Sequence, residues 1–215
     1  MTTEIEEEQP SPGRVLLLGD STVADLAAGR GIYGWGQFFR ELFPTANIRN
    51  LAVSGASTKS FMALPQYREA CEALADYWLI QFGHNDMKDQ DPNRFTDPET
   101  TYAGNLRAMI AAARHQGAAP ILVTSPHRLS FDDAGMLTEE LLPYVNAMKA
   151  VAAEQGIAVI DLHALTGGVF QGLAKERALW ITATEKGDFT HFTALGARFV
   201  GILVAQEFEK ILRKA

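Results

Sequence analysis

Two short polar motifs near opposite ends of this 215-residue sequence carry residue types that could do nucleophilic chemistry. Ser21 lies in Gly-Asp-Ser-Thr, directly after an apolar run, and Asp188 precedes His191 by three positions in Gly-Asp-Phe-Thr-His-Phe. A carboxylate at that spacing can orient an imidazole, which can then take the proton of a serine hydroxyl as it attacks a carbonyl. Taken singly, Ser21 and Asp188 are equally compatible with helix caps.

Gly55 and Asn85 add groups that could stabilise a developing negative charge. Gly55 follows the apolar run 48–53, and a glycine there lets a ligand approach the backbone N–H closely. Asn85 lies in Gly-His-Asn-Asp after the run 77–82, where its amide could donate a hydrogen bond to an oxyanion. Each residue alone is also common in turns. The order of all the motifs along the chain is what favours catalysis.

Short apolar runs that alternate with longer amphipathic stretches must position these residues. The apolar runs predict strands covered on both faces, at 15–18, 48–53, 77–82, 121–124 and 158–160. The amphipathic stretches predict helices at 36–43, 66–75, 98–116, 138–155 and 193–214. This alternation predicts a single α/β domain over 14–215, with a parallel sheet and helices on both faces. Ligands bind at the carboxyl ends of the strands in such folds, where Ser21, Gly55 and Asn85 lie.

Composition and charge argue against several classes of protein. Hydrophobic residues make up 47% of the chain, and no apolar run reaches the ~18 residues that a membrane span needs. The net charge of −7 includes four glutamates within residues 1–13, a stretch that we interpret as a disordered acidic leader. The near-neutral remainder has no basic cluster, which argues against a nucleic-acid partner. The N-terminus lacks the features of a secretory signal, which predicts a cytoplasmic protein, although an exported chain trimmed of its signal would look the same.

Considered together, the motifs resemble the SGNH hydrolase superfamily, whose name-giving residues would be Ser21, Gly55, Asn85 and His191. The resemblance covers the chain after the leader. It implies a flavodoxin-like, three-layer α/β/α sandwich around a central, mainly parallel five-stranded sheet. It also implies a catalytic triad of Ser21, His191 and Asp188. The oxyanion hole would be built from the N–H groups of Ser21 and Gly55 and the amide of Asn85, and neither a metal nor an organic cofactor would be required.

Within that superfamily, the sequence is most similar to the rhamnogalacturonan acetylesterase branch, which resembles carbohydrate esterase family 12. The similarity rests on the motifs at 19–22, 34–37, 57–61, 83–86 and 188–193. It implies a serine esterase that removes acetyl groups from a plant cell-wall carbohydrate such as rhamnogalacturonan, or from another small ester. The branch often has an arginine after the glycine of its second motif, where this chain has Ala56. That departure leaves the catalytic residues intact and leaves the pectic substrate open.

Three other functions are compatible with parts of the pattern. A related lipase or thioesterase would use the same residues on longer acyl chains, and a flavodoxin-like module would bind a ligand without serine chemistry. A metal-dependent phosphatase would need five residues to converge on an ion, namely Asp20, His84, Asp86, Asp188 and His191. His127 and Arg128 follow the fourth predicted strand and are candidates for the lining of a substrate cleft.

Overall fold

A parallel sheet forms the centre of the computed structural model, which describes residues 12–27, 29–173, 177, 180–183 and 187–214. Within that part of the chain the strands are β1 (Arg14–Gly19), β2 (Asn47–Asn50), β3 (Tyr77–Gln81), β4 (Ala119–Val123) and β5 (Val159–Ile160). They lie in the order β2-β1-β3-β4-β5, and every neighbouring pair is parallel. The predicted five-stranded parallel sheet is confirmed, and the carboxyl ends of all its strands share one edge.

The residues of β1 show why the sheet is apolar on both faces. Successive side chains of a strand point to opposite faces. Val15 and Leu17 therefore belong to one hydrophobic core, while Leu16 and Leu18 belong to the other. All four side chains are buried. Because each face needs apolar contacts, the run is apolar at every position and does not alternate with polar residues.

Helices cover both faces of the sheet and complete the predicted three layers. Within the described residues they are α1 (Gly36–Leu42), α2 (Thr58–Phe61), α3 (Pro65–Glu72), α4 (Ala103–His115), α5 (Leu142–Gln155), α6 (Leu162–Gln171) and α7 (Ala194–Leu212). On one face α7 contacts both α1 and α6, and on the other α4 and α5 pack on each other and on β4. A π-helical turn at Pro98–Tyr102 leads into α4.

The sequence-based prediction misses α6 because the adjacent Gly167 and Gly168 weaken the helical pattern. In the structure, the Asp161 carboxylate accepts a hydrogen bond from a backbone N–H of the first turn at 3.2 Å and caps the helix. Leu162 and Phe170 are completely buried. Tertiary packing therefore overrides the weak local preference for a helix.

Several element boundaries and one short helix also differ from the prediction. β2 ends at Asn50 instead of residue 53, although the chain still follows β1 as far as Val53, whose N–H donates to the Gly19 carbonyl at 2.9 Å. α5 begins at Leu142 instead of residue 138, with Pro143 in its first turn, where a missing N–H is tolerated. The short α2 is not predicted.

Most of the predicted leader, residues 1–11, lies outside the described residues, and its disorder stays a prediction. Gly13 is described, and its carbonyl accepts a hydrogen bond from the Asn47 N–H at 2.8 Å, beside the start of β2. The boundary at residue 14 between leader and domain is likewise a prediction. No helix among the described residues is both long enough and apolar enough to cross a membrane.

Candidate active site

Ser21, His191 and Asp188 form one chain of hydrogen bonds at the carboxyl edge of the sheet. The His191 Nε2 atom lies 2.8 Å from the Ser21 Oγ, and its Nδ1 atom lies 2.7 Å from the Asp188 Oδ2. An imidazole held in this way carries its proton on Nδ1 and is free to accept another at Nε2. The structure therefore brings together the three residues that the sequence singles out.

Backbone hydrogen bonds keep Asp188 in place and charged. Its Oδ1 atom accepts from the N–H groups of Thr190 and His191, each at 3.0 Å, while Oδ2 faces the imidazole. Partial burial raises the pKa of this carboxyl, but the two backbone hydrogen bonds and the contact with His191 outweigh burial and lower the pKa below its usual value. Asp188 is thus an anion at neutral pH, directly beside His191.

Phe192 anchors the segment that carries His191. It is completely buried, and it forms isolated antiparallel bridges with both Tyr33 and Thr182. The Tyr33 N–H donates to the Phe192 carbonyl at 2.9 Å. The histidine is therefore fastened to the chain just before α1, and not to a strand of the sheet.

Ser21 lies in a tight turn directly after β1. The Asp20 carbonyl accepts hydrogen bonds from the N–H groups of Val23 and Ala24 at 3.1 and 3.0 Å, and the Asp20 carboxylate accepts from Thr22. Ser21 therefore does not cap a helix, the alternative that its residue type also allowed, because α1 starts only at Gly36. The turn is closed by local polar contacts instead.

The segment Gly34-Trp35-Gly36 packs against this turn and explains why glycine occurs twice there. A Cβ atom on Gly34 would lie 2.3 Å from the Ala24 carbonyl oxygen, and one on Gly36 would lie 2.4 Å from the Val23 carbonyl oxygen. Between them the Trp35 indole N–H donates to the side chain of Gln81 at 2.8 Å. The Gln81 amide donates in turn to the Thr22 hydroxyl at 2.6 Å, so the turn is supported from two sides.

The close approach at Gly34 leads to a stability prediction. We expect Gly34→Ala to lower the free energy of unfolding by about 1–3 kcal/mol, because the added methyl group must displace the backbone at Ala24. Gly104→Ala is the matched control, since Gly104 is in α4 with open space around its Cβ position, and alanine there should add about 0.5–1 kcal/mol. Urea unfolding measures both changes, and equal stability of the two variants would contradict this account.

Three N–H groups lie near the Ser21 hydroxyl, and one of them is the backbone N–H of Ser21 itself. No described residue accepts a hydrogen bond from the backbone N–H of Ser21 or of Gly55, and Gly55 adopts a positive φ of 81°. The buried Asn85 donates one amide hydrogen to the Ala56 carbonyl at 3.0 Å, which leaves its second hydrogen for a ligand. Ser21, Gly55 and Asn85 line the same cavity, so the structure brings the three predicted oxyanion donors together.

That cavity has a volume of about 510 Å³ and a polar, charged wall. Lys88, Arg94 and Arg128 line it, and the Arg128 Nε donates to the Thr190 hydroxyl at 3.0 Å. Desolvation, followed by the charge of Arg94, lowers the pKa of Lys88. Sequence analysis misses Lys88 and Arg94, although their place just after the Asn85 motif was an available signal.

Of the two residues expected to line the cleft, only Arg128 does so. The neighbouring His127 is buried away from the cavity, where its ring stacks on that of His163 with a centroid separation of 4.1 Å. The expectation for His127 is therefore wrong.

The five residues of the phosphatase hypothesis do not form a metal-ligand cluster. Asp86 instead accepts hydrogen bonds from Thr58 and Thr96, although burial raises its pKa to about 6. Burial also raises the pKa of Asp20, but nearby His84 and hydrogen bonds from the turn outweigh it and lower the pKa overall. Among the described residues, the group with ligand atoms close enough to share an ion is a different one, namely His127, Glu139 and His163.

Comparison with known protein families matches residues 17–199 to the GDSL-like lipase/acylhydrolase family. The chain belongs to this family. Among curated proteins, this GDSL-family chain is 38% identical over 215 residues to the rhamnogalacturonan acetylesterase RhgT of Bacillus subtilis (strain 168), across 93% of this chain and 91% of the relative. The resemblance to the rhamnogalacturonan acetylesterase branch is thereby confirmed.

Solved structures confirm the fold of this family member. Protein YXIM_BACsu from Bacillus subtilis matches with a TM-score of 0.81 and 26% identity over 93% of this chain. The match covers only 56% of that longer chain. A catalytic mutant of Axe2, an acetylxylan esterase from Geobacillus stearothermophilus, matches with a TM-score of 0.70 and 17% identity over 94% of both chains.

Proposed function

We propose that this GDSL-family protein is a serine acetylesterase of acetylated carbohydrates, with Ser21, His191 and Asp188 as its catalytic residues. The observation that carries the proposal is the unbroken chain of hydrogen bonds from Asp188 through His191 to Ser21, which ends in a polar cavity. If Ser21 and Asp188 were only helix caps or turn residues, they would not need to share hydrogen bonds with one imidazole. Ser21 is the nucleophile because its hydroxyl is the group that the imidazole can deprotonate.

Acylation begins when the Ser21 Oγ attacks the ester carbonyl and His191 Nε2 takes the hydroxyl proton. The negative charge on Asp188 stabilises the imidazolium that results. The former carbonyl oxygen becomes an oxyanion, which accepts hydrogen bonds from the N–H groups of Ser21 and Gly55 and from the Asn85 amide. When the tetrahedral intermediate collapses, the C–O bond to the alcohol breaks and His191 returns its proton to the leaving oxygen.

Deacylation repeats these steps with water as the nucleophile. His191 takes a proton from water, the hydroxide oxygen attacks the acetyl carbonyl on Ser21, and the same donors hold the second oxyanion. Collapse breaks the bond between the acetyl carbon and Ser21 Oγ, which recovers its proton from the imidazole. Acetic acid leaves and the enzyme is regenerated.

Removal of the Asn85 amide should slow the reaction strongly. We expect Asn85→Ala to lower kcat by about 10²–10³-fold on p-nitrophenyl acetate, because one of the three oxyanion donors is lost. Asn93→Ala is the matched control, since Asn93 is an exposed residue of the following loop and does not line the cavity. A kcat of Asn85→Ala within a few-fold of the unmodified enzyme would exclude this role for the amide.

A carbohydrate substrate is supported by the relative and by the cavity. RhgT, which shares 38% identity over most of both chains, is named a rhamnogalacturonan acetylesterase. Side chains of both charges line the cavity, and Arg128 is paired with Glu140, so this wall suits a hydroxyl-rich ligand better than an alkyl chain. Arg94 reaches Gly55 from a different loop, since its Nη1 would lie 3.8 Å from a Cβ there. It places a cation beside the position where Ala56 replaces the arginine common in the branch.

A substrate panel tests the proposed function. Acetate release is measured from acetylated rhamnogalacturonan oligosaccharides, acetylated xylo-oligosaccharides and p-nitrophenyl esters of increasing chain length. We expect the carbohydrate acetates to be hydrolysed, and the rate to fall steeply from acetate to octanoate esters. Rapid hydrolysis of octanoate with no acetate released from any carbohydrate would favour a lipase or thioesterase instead.

A further inference from the structure

The orientation of the Asn85 amide is specified by three contacts. Its Oδ1 atom accepts from the Lys88 ammonium at 2.9 Å and from an Arg94 guanidinium nitrogen at 3.5 Å, while its Nδ2 atom donates to the Ala56 carbonyl at 3.0 Å. Rotation of the amide by 180° would place its NH₂ group against the two cations and its oxygen against a carbonyl oxygen. Every one of these contacts would then be repulsive.

We propose that Lys88 and Arg94 are positioning residues, which hold the Asn85 amide in the one orientation that offers an N–H to the oxyanion. The proposal rests on the proposed function, in which Asn85 is an oxyanion donor. Neither cation needs to touch the reacting atoms for this role. Each acts through the amide oxygen that it binds.

The two cations also strengthen the amide as a donor. Hydrogen bonds polarise one another when they are linked in a chain, and a charged donor at the amide oxygen draws electron density away from its nitrogen. The hydrogen on Nδ2 therefore becomes more positive. This effect is greatest in the transition state, where the oxyanion carries most charge.

Local structure brings both cations back towards Asn85. The Lys88 N–H donates to the Asn85 carbonyl at 3.3 Å, which makes a tight turn and returns the lysine side chain to the amide. Arg94 is held by Asp91, whose carboxylate accepts from its Nε at 2.6 Å and whose carbonyl accepts from its backbone N–H at 2.9 Å. The loop is thus ordered by contacts that do not depend on substrate.

Steady-state kinetics on p-nitrophenyl acetate tests the proposal, because this small neutral ester offers no carboxylate for the cations to bind. We expect Lys88→Met to lower kcat about tenfold with KM little changed, since a hydrogen bond from a charged group to the amide is lost. Lys88→Arg should recover most of the rate. The double variant with Arg94→Gln should lose more than either single change.

The decisive measurement repeats Lys88→Met in the Asn85→Ala background. Without the amide a positioning residue has nothing to position, so the second change should have no further effect. Lys59→Met is the matched control for the integrity of the loop, because the Lys59 ammonium donates to the Pro92 carbonyl at 2.8 Å and does not contact Asn85. We expect its kcat to stay within about twofold of the unmodified enzyme.

Three outcomes would overturn the proposal: an equal loss from Lys88→Met with and without Asn85, a rise in KM at constant kcat, or the same loss in Lys59→Met. Failure of the proposed function looks different. In that case Ser21→Ala and Asn85→Ala retain normal activity. Failure of the positioning role alone leaves both of those variants impaired and gives either one of the three outcomes above or no loss at all in Lys88→Met.

Discussion

Replacement of Ser21 by alanine should abolish both turnover and covalent labelling. We expect Ser21→Ala to lower kcat on p-nitrophenyl acetate by about 10⁴-fold or more, because no other hydroxyl is hydrogen-bonded to His191 among the described residues. A fluorophosphonate should add one covalent label to the unmodified protein, and mass spectrometry of its peptides should locate that label on Ser21. The variant should remain unlabelled and should unfold at the same urea concentration.

Ser54→Ala is the control for the labelling experiment. Ser54 also lines the cavity, but its hydroxyl has no hydrogen bond to an imidazole, so it is not activated. We expect this variant to take up the label on Ser21 as the unmodified protein does. Label on Ser54 in the unmodified protein or in Ser21→Ala, or a Ser21→Ala variant that still hydrolyses acetate esters at a tenth of the normal rate, would show that Ser21 is not the nucleophile.

Replacement of Asp188 by asparagine should be nearly as damaging, for a reason that the hydrogen bonds specify. The Oδ1 position faces two backbone N–H groups, so the oxygen of an asparagine amide will occupy it. The amide NH₂ then faces His191 Nδ1, and the imidazole must move its proton to Nε2. A histidine protonated at Nε2 cannot take the proton of Ser21, and we expect kcat to fall about 10³–10⁴-fold.

Asp132→Asn is the matched control for this substitution. The Asp132 Oδ1 also accepts from two backbone N–H groups, at 2.9 and 2.8 Å, but no imidazole lies opposite. The control tests whether loss of charge in such a turn is harmful by itself, and we expect normal kinetics. Normal turnover of Asp188→Asn would instead mean that the carboxylate neither orients nor stabilises the imidazole.

The sequence was sufficient to predict the sheet and the placement of the candidate catalytic residues. The inner strands of this parallel sheet are apolar runs, whereas the edge strand β2 has the mixed sequence Asn-Ile-Arg-Asn. Ser21, Gly55 and Asn85 each follow a predicted strand, so their shared edge could be inferred from the sequence. The pairing of Asp188 with His191 followed from their spacing. These features are local in sequence, which is why they could be predicted.

Features that depend on contacts between distant residues could not be predicted. The support of the Ser21 turn by Trp35 through Gln81 joins three elements, and no local pattern identifies it. The same holds for His127, whose stacking on His163 depends on how α6 packs. The roles of Lys88 and Arg94 depend on the conformation of a loop without periodicity.

The distance in sequence between Ser21 and His191 determines when, during its synthesis, the chain can become active. The two residues are 170 positions apart, so at a synthesis rate of about 5–20 residues per second His191 follows Ser21 by roughly 10–30 s. The nascent chain can form the turn after β1 long before it has a base to activate the serine. Ester hydrolysis therefore begins only after the segment around Phe192 has docked against Tyr33, and a growing polypeptide that has not yet reached His191 is catalytically silent.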